Sequence, residues 1–480
     1  MDNSGVAFGT SGARGLVSAM TDEVCYTYTR GFLQYLERER EIQRGGRVAV
    51  AGDLRPSTPR IMRAVMKAIA DHGSVPVSGG RVPTPALALF GFAQKIPSIM
   101  VTGSHIPDDR NGIKFYRPKS ELLKRDEPGM KEQVVELPPD FDAQGATLPS
   151  AQRVEPAPLE EIERRYVRRY FEAFGEDALR GARIGLFEHS AVGRDVLFEV
   201  LSGLGAKVTR LGRSEAFIPV DTEAIRPEDV ASAARWAREH EFDSIVSTDG
   251  DSDRPLVSDE HGKWLRGDIA GIVTAKFLQA TFVATPVSCN TAVEKSGAFQ
   301  RVVRTRIGSP YVIEAMNAAL GGVEKVVGYE ANGGFLTATD FNLVGPLSAL
   351  PTRDALLVPL AVLLSARARN TSISQLLTSL PQRFTASDRL EDFPTALSKE
   401  RLGALAQGGP PAIAAAFPAF GEVADVSTID GLRVTFASDE VVHLRASGNA
   451  PELRCYSEAA SELRAAELNA EALSVLRGWR

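Results

Sequence analysis

Cysteine is scarce. Cys25, Cys289 and Cys455 are the only three in 480 residues, too few and too scattered for a disulfide framework. None has a histidine or second cysteine at ligand spacing, so they read as reduced thiols rather than zinc ligands or nucleophiles. No charge sign dominates either: 55 Lys and Arg stand against 61 Asp and Glu, for a formal net charge of −6. Such a balance creates no global field for nucleic acid or an acidic membrane. An anionic substrate must therefore find a local cluster of arginine and lysine. Long apolar runs are also missing. The most apolar segment, in RDALLVPLAVLLSARAR, is shorter than the ~20 residues a bilayer span needs and is flanked by arginine, so it reads as a core helix. The start, MDNSGVAFGTSGARG, has no apolar signal-peptide core, and the cytoplasm is the expected compartment.

What is present is the composition of an ordinary soluble enzyme, 44% apolar and 24% charged, with 42 Gly and 28 Pro to punctuate many short elements. A chain of this length divides into about three or four domains. RVAVAGD (47–53) and PSIMVTG (97–103) read as buried strands, and Pro59 to His72 carries helical spacing. ARIGLFE, KVTRLG and FDSIVST are strands alternating with the helices Arg194–Leu204 and PEDVASAARWAREH, whose Pro227 suits a first turn. A third unit carries strands near TFVATPVS, FQRVVRTR and KVVGYE. Apolar strands alternating with helices imply mostly parallel sheets covered on both faces. The character then changes: VADVSTIDGLRVTF, with a turn at Asp430-Gly431, VVHLRAS and ELRCYSEA read as antiparallel strands before a closing amphipathic helix. Residues 138–158 lack periodicity and read as a linker. The expected division is 1–152, 153–257 and 258–370 as α/β domains and 371–480 as an α+β domain.

Five stretches carry chemistry. Ser104, in TGSHIPDDRNGIK, sits just past a buried strand, where ligands of open α/β sheets gather. Its hydroxyl needs a base, a metal or prior phosphorylation to act as a nucleophile, and His105 and Lys114 are near; an ordinary Ser-His turn fits these residues as well. DGDSDR (249–254) spaces carboxylates so that they can converge on one hard cation. An EF-hand reading fails, because Arg254 stands where its turn requires glycine and a strand precedes the loop; a solvated acidic turn stays open. FGTSGARG (8–15) combines glycines with the forked donor Arg14, yet has no Walker lysine. RASGNAPELRCY (445–456) gathers Arg445, Ser447, Gly448, Asn449 and Arg454 as donors for a phosphate, or makes a simple turn of the sheet. GYEANGGF (328–335) offers Glu330 and Asn332 as readers of sugar hydroxyls, or a strand-to-turn transition.

Together and in this order the five stretches resemble the α-D-phosphohexomutase superfamily, of the phosphomannomutase and phosphoglucomutase type, over essentially the whole chain. FGTSGARG is similar to its N-terminal loop, TGSHIPDDRNGIK to its phosphoserine loop, DGDSDR to its metal loop, GYEANGGF to its sugar loop and RASGNAPELRCY to its phosphate loop. The resemblance implies an α/β fold of four domains, three similar mixed α/β domains plus a C-terminal α+β domain around a central cleft. It implies that Ser104 is the phosphoserine and that Ser104, Asp249, Asp251 and Asp253 hold Mg2+. Arg14, His105 and Lys114 would assist proton transfer and position the loop, and Arg254 would support it. Glu330 and Asn332 would grip sugar hydroxyls, and Arg445, Ser447, Gly448, Asn449 and Arg454 the non-reacting phosphate.

The implied reaction interconverts hexose 6-phosphate and hexose 1-phosphate through hexose 1,6-bisphosphate, with mannose phosphates first, glucose phosphates or both as the alternative, and glucosamine phosphates or a bisphosphate-forming phosphotransferase behind. The expected partners are the hexose phosphate and, at most, a second copy of the chain, with neither nucleic acid nor membrane. Ile106, Asn332, Gly334, Asn449-Ala450 and Ser309 depart from the usual pattern and blur the choice of sugar.

Overall fold

The computed structural model describes residues 4–9, 12–322, 325–447 and 451–479. The chain forms two compact units, Met1–Ala280 with Gly308–Leu376, and Thr281–Ile307 with Leu377–Arg480.

The first unit opens with six strands, β1 (Ala7–Phe8), β2 (Ala13–Leu16), β3 (Arg47–Gly52), β4 (Val75–Arg81), β5 (Ser98–Val101) and β6 (Arg110–Tyr116), in the order β1-β2-β6-β5-β3-β4. β3 runs parallel to β4 and β5, while β6 is antiparallel to β5. The helices Asp22–Arg38 and Thr58–Asp71 bury Phe32, Leu36, Ile61 and Val65 in one core with Val50 and Ile99 of the sheet. Thr21 caps the first helix by accepting from the Val24 amide at 3.3 Å. Gly52 pairs with Val101, so the segments that leave β3 and β5 emerge side by side at the carboxyl edge of the sheet.

A second sheet follows the same logic. β7 (Arg183–Phe187), β8 (Lys207–Leu211), β9 (Ser244–Thr248) and β10 (Pro255–Val257) take the order β10-β9-β7-β8, parallel except for the β9–β10 hairpin. A strand therefore stands on each side of DGDSDR, consistent with rejecting an EF-hand. Residues 138–158, which read as a linker, are strapped down: Lys67 donates to Asp140 at 2.5 Å, Arg153 to Asp71 at 2.6 Å, and Pro149–Ala151 forms a 3-10 turn. The apolar RDALLVPLAVLLSARAR supplies the helix Leu357–Ala368, buried along most of its length.

In the second unit β11 (Phe282–Pro286) and β12 (Arg301–Thr305) pair in parallel. The first unit carries the hairpins β13 (Val326–Tyr329) with β14 (Phe335–Thr337) and β15 (Phe341–Asn342) with β16 (Pro346–Leu347). The C-terminal sheet of the second unit comprises β17 (Phe384–Leu390), β18 (Val423–Ser427), β19 (Leu432–Phe436), β20 (Val441–Ala446) and β21 (Leu453–Ala459), antiparallel in the order β17-β21-β20-β19-β18. The helix Glu462–Arg477, capped by Ser461, seals its core around Phe393, Phe436, Leu444 and Leu468. No described helix is long and apolar enough to cross a membrane.

The Asp430-Gly431 turn falls where the alternation places it. Gly431 has φ +82°, and a Cβ there would lie 2.2 Å from the Leu444 carbonyl oxygen, so only glycine fits. His443 Nε2 donates to the Asp430 carbonyl at 2.6 Å, and burial, against that bond, pushes its pKa down to about 4. The native state thus takes this proton only near pH 4, whereas the unfolded chain takes it at ~6.5. Stability is full above the higher value and is expected to fall by up to roughly 3 kcal/mol as pH drops through that window. Chemical denaturation from pH 7 to 4.5 checks this, and His443→Gln should flatten the slope.

Candidate active site

The loop between β5 and β6 folds around one buried guanidinium. Asp53-Leu54-Arg55 leaves β3 beside Thr102-Gly103-Ser104, and all five N–H donors of Arg55 are engaged. Nε bonds Asp53 Oδ2 at 3.1 Å, Nη1 bonds the carbonyls of Pro107 at 2.7 Å and Arg110 at 3.0 Å, and Nη2 those of Ser104 at 2.8 Å and Ile106 at 2.5 Å. Asp53 in turn accepts from Thr58 and Thr102, each at 2.7 Å. A Cβ at Gly103 would stand 2.6 Å from Arg55 Cζ, so glycine is required for this approach.

Held this way, Ser104 is fully buried and adopts φ +57°, a costly conformation for a residue with a side chain. Its amide bonds Thr102 Oγ1 at 2.7 Å and its hydroxyl donates to Asp249 Oδ2 at 2.6 Å. His105 Nδ1 lies 3.3 Å from the same hydroxyl and 2.8 Å from Arg254 Nη1. Because Arg254 can only donate, that nitrogen is the acceptor and Nε2 carries the proton; Nε2 faces Asp221 at 3.9 Å. Burial and the Arg254 charge push His105 down to about 3, so the ring is neutral.

Strand pairing delivers the cations. Arg14 on β2 pairs with Gly112 on β6, two residues from Lys114, so both side chains leave the same face of the sheet. Lys114 is buried and bonds Asp251 Oδ2 and Asp253 Oδ2, each at 2.6 Å. Against burial, these carboxylates hold the ammonium above its ordinary value. Burial and Arg254 push Arg14 down to about 10, which leaves it cationic at neutral pH.

The hairpin between β9 and β10 brings Asp249, Asp251 and Asp253 together, with an oxygen of each within 4.8 Å of the others. Burial, then Asp251 and Asp253, raise Asp249 well above the carboxylate range. Burial opposes the ionisation of Asp251 too, but Lys114 and a 2.5 Å bond from Thr84 hold it below that range. Asp251 Oδ1 and Asp253 Oδ1 are buried without a hydrogen-bond partner among the described residues. Hard oxygen donors in excess, two of them without a hydrogen bond among the described residues, fit a divalent cation.

Glu330 accepts from Arg353 Nε at 2.6 Å, and Asn332 Oδ1 accepts from the Gly334 amide at 2.9 Å. Both residues are largely buried. Glu330 Oε1 and Asn332 Nδ2 make no hydrogen bond to the described residues. Ser309 bonds Glu121 at 3.1 Å. In the second unit Arg445 stands directly across from Arg454, and Arg454 from Arg389 of β17. This row of three arginines is balanced by Asp430, Glu452 and Glu391. Ser447 is buried; Gly448 and Asn449 lie outside the described residues.

Sequence reasoning passed over Arg55, Thr84, Asp221 and Arg353. A signal for Arg55 existed: Asp53 and Arg55 follow the apolar run 48–52, at the edge where α/β ligands bind. Thr84, Asp221 and Arg353 sit in no periodic or motif context.

Four domain families match in order. These are phosphoglucomutase/phosphomannomutase alpha/beta/alpha domain I at residues 5–136, domain II at 165–262, domain III at 266–384 and the C-terminal domain at 398–475. The chain belongs to the phosphoglucomutase/phosphomannomutase family, the class the five motifs resemble. It is 42% identical over 480 residues to a phosphomannomutase of Sinorhizobium fredii, covering 98% of this chain and 99% of that one. It is 41% identical over 482 residues to a phosphomannomutase of Salmonella muenchen, covering 99% and 97%. Its fold matches that of a phosphoglucomutase/phosphomannomutase family protein from Burkholderia thailandensis with a TM-score of 0.76 and 19% identity, covering 98% and 97%.

Two outcomes follow from the site. Arg55→Lys leaves at least two of five acceptors unserved and is expected to cost ~2–4 kcal/mol in thermal unfolding. Asp251→Asn removes charge from this cluster of oxygen donors and is expected to weaken divalent-cation binding, read by calorimetry, by about tenfold or more.

Proposed function

We propose that the protein is a phosphomannomutase that interconverts hexose 6-phosphate and hexose 1-phosphate, with mannose phosphates as the preferred pair and glucose phosphates second. The observation that carries the reading is the Ser104 hydroxyl, 2.6 Å from Asp249 in a carboxylate cluster that Lys114 partly neutralises. Two full-length relatives above 40% identity, both named phosphomannomutase, favour mannose.

Phosphoryl transfer is chiefly a matter of positioning and of neutralising charge. Asp249, Asp251 and Asp253, with the Ser104 side chain, would hold Mg2+, which supplies positive charge against the transferring group. Ser104, phosphorylated, gives its phosphoryl group to the free hydroxyl of the bound sugar phosphate. The bond to Oγ breaks, a bond to the sugar oxygen forms, and the hydroxyl proton ends on Ser104 Oγ, where Asp249 accepts its hydrogen bond. The resulting hexose 1,6-bisphosphate returns its other phosphate to Ser104, and the same bisphosphate primes the enzyme. Arg14 and Lys114 bring cationic donors to the reacting oxygens, and His105, fixed by Arg254, lines the hydroxyl. Glu330 and Asn332 take sugar hydroxyls, and Arg445, Ser447, Gly448, Asn449 and Arg454 recognise the phosphate that is not moving.

Steady-state assays of the full chain with Mg2+ and hexose 1,6-bisphosphate are expected to give the highest kcat/KM for mannose 1-phosphate, ahead of glucose and glucosamine phosphates. Ser104→Ala is expected to lower kcat by about a thousandfold or more. Full turnover by Ser104→Ala, or bisphosphate accumulation without the isomer, would refute the phosphoserine mutase.

A further inference from the structure

Arg353 lies in none of the five motifs, in the segment Pro351–Leu356 that leads into the buried helix Leu357–Ala368. It is 2% exposed. Nε donates to Glu330 Oε2 at 2.6 Å, and Nη1 stands 3.6 Å from Asp253 Oδ2. One guanidinium thus touches a carboxylate of the β13–β14 turn and another of the β9–β10 turn.

The turn itself is shaped around this side chain. A Cβ on Gly334 would lie 2.5 Å from Arg353 Cδ, 2.9 Å from Cγ and 3.0 Å from Nε. Gly334 does not have φ in the left-handed region, so its backbone conformation does not call for glycine. The stem of Arg353 does, because it occupies the space that a side chain at 334 would fill.

Burying a guanidinium and two carboxylates costs more than packing apolar residues in their place, so stability alone is a weak reason for this arrangement. Its effect is orientational. The charged Nε donor holds Oε2 of Glu330 and leaves Oε1 with no bond to the described residues.

We propose that Arg353 is a positioning residue for sugar recognition: it aims the Glu330 carboxylate at a ring hydroxyl of the hexose phosphate and braces that carboxylate against the metal-loop residue Asp253. The inference deepens the reading of Glu330 as a sugar contact and rests on it.

The test compares the full chain with Arg353→Lys, Arg353→Met and Gly334→Ala, the last displacing the stem while removing no charge. Calorimetric Kd values for mannose 6-phosphate, and for analogues each lacking one ring hydroxyl, are read beside kcat and KM. Arg353→Met is expected to weaken Kd and raise KM about tenfold, with a smaller change in kcat, as loss of uniform binding does. Arg353→Lys should recover most of the affinity, since an ammonium still reaches Glu330, and Gly334→Ala should shift Kd in the same direction as Arg353→Met. The deoxy analogue that the native chain binds most weakly should be bound no worse by Arg353→Met, because the shared contact is already lost. Unchanged Kd in folded Arg353→Met, or equal losses for every analogue with no recovery by Arg353→Lys, would overturn the inference. A native chain that binds mannose 6-phosphate without isomerising it would overturn the mutase reading alone.

Discussion

The five hydrogen bonds of the Arg55 guanidinium are the constraint on which the serine loop depends. A loop of about eight residues between antiparallel strands has many carbonyls and few ways to satisfy them away from water. Arg55 satisfies four, at Ser104, Ile106, Pro107 and Arg110, while Asp53 balances its charge. The aromatic face of Phe217 covers the guanidinium at 4.1 Å. The loop can then hold Ser104 at positive φ, because the surrounding bonds outweigh the local strain.

Charge organises the rest. Three carboxylates on one hairpin repel one another, and burial amplifies the repulsion. Lys114 relieves Asp251 and Asp253, Arg353 adds charge near Asp253, and Asp249, which has no cation in hydrogen-bond contact among the described residues, meets the Ser104 hydroxyl and is raised well above the carboxylate range. The Ser104 hydroxyl is therefore bonded to a buried carboxylate whose ionisation calls for a nearby cation. That single 2.6 Å bond ties the serine loop to the carboxylate cluster.

Much of this was legible beforehand where local rules apply. Apolar runs ending in polar loops located β3, β5, β7 and β9, and the Asp430-Gly431 dipeptide located a hairpin turn, because turn chemistry depends on neighbouring residues alone. Ser104 and the three aspartates stood out through their place at strand ends. The partners of Glu330 and the donors around the serine loop were not legible. Arg353 is 23 residues from Glu330, Arg55 is 49 from Ser104 and Thr84 is 167 from Asp251, and no spacing rule reaches so far.

The sequence by itself determined the family, the order of α/β and α+β segments, and the residue types able to carry a phosphate and a cation. Those properties live in composition, periodicity and short motifs. Only the tertiary structure decided which charges meet. Parallel pairing of β3 with β5 set Arg55 under Ser104, pairing of β2 with β6 set Arg14 beside Lys114, and a glycine at 334 opened room for Arg353. Electrostatic partners are chosen by distance in space, and that distance exists only once the strands have found their register.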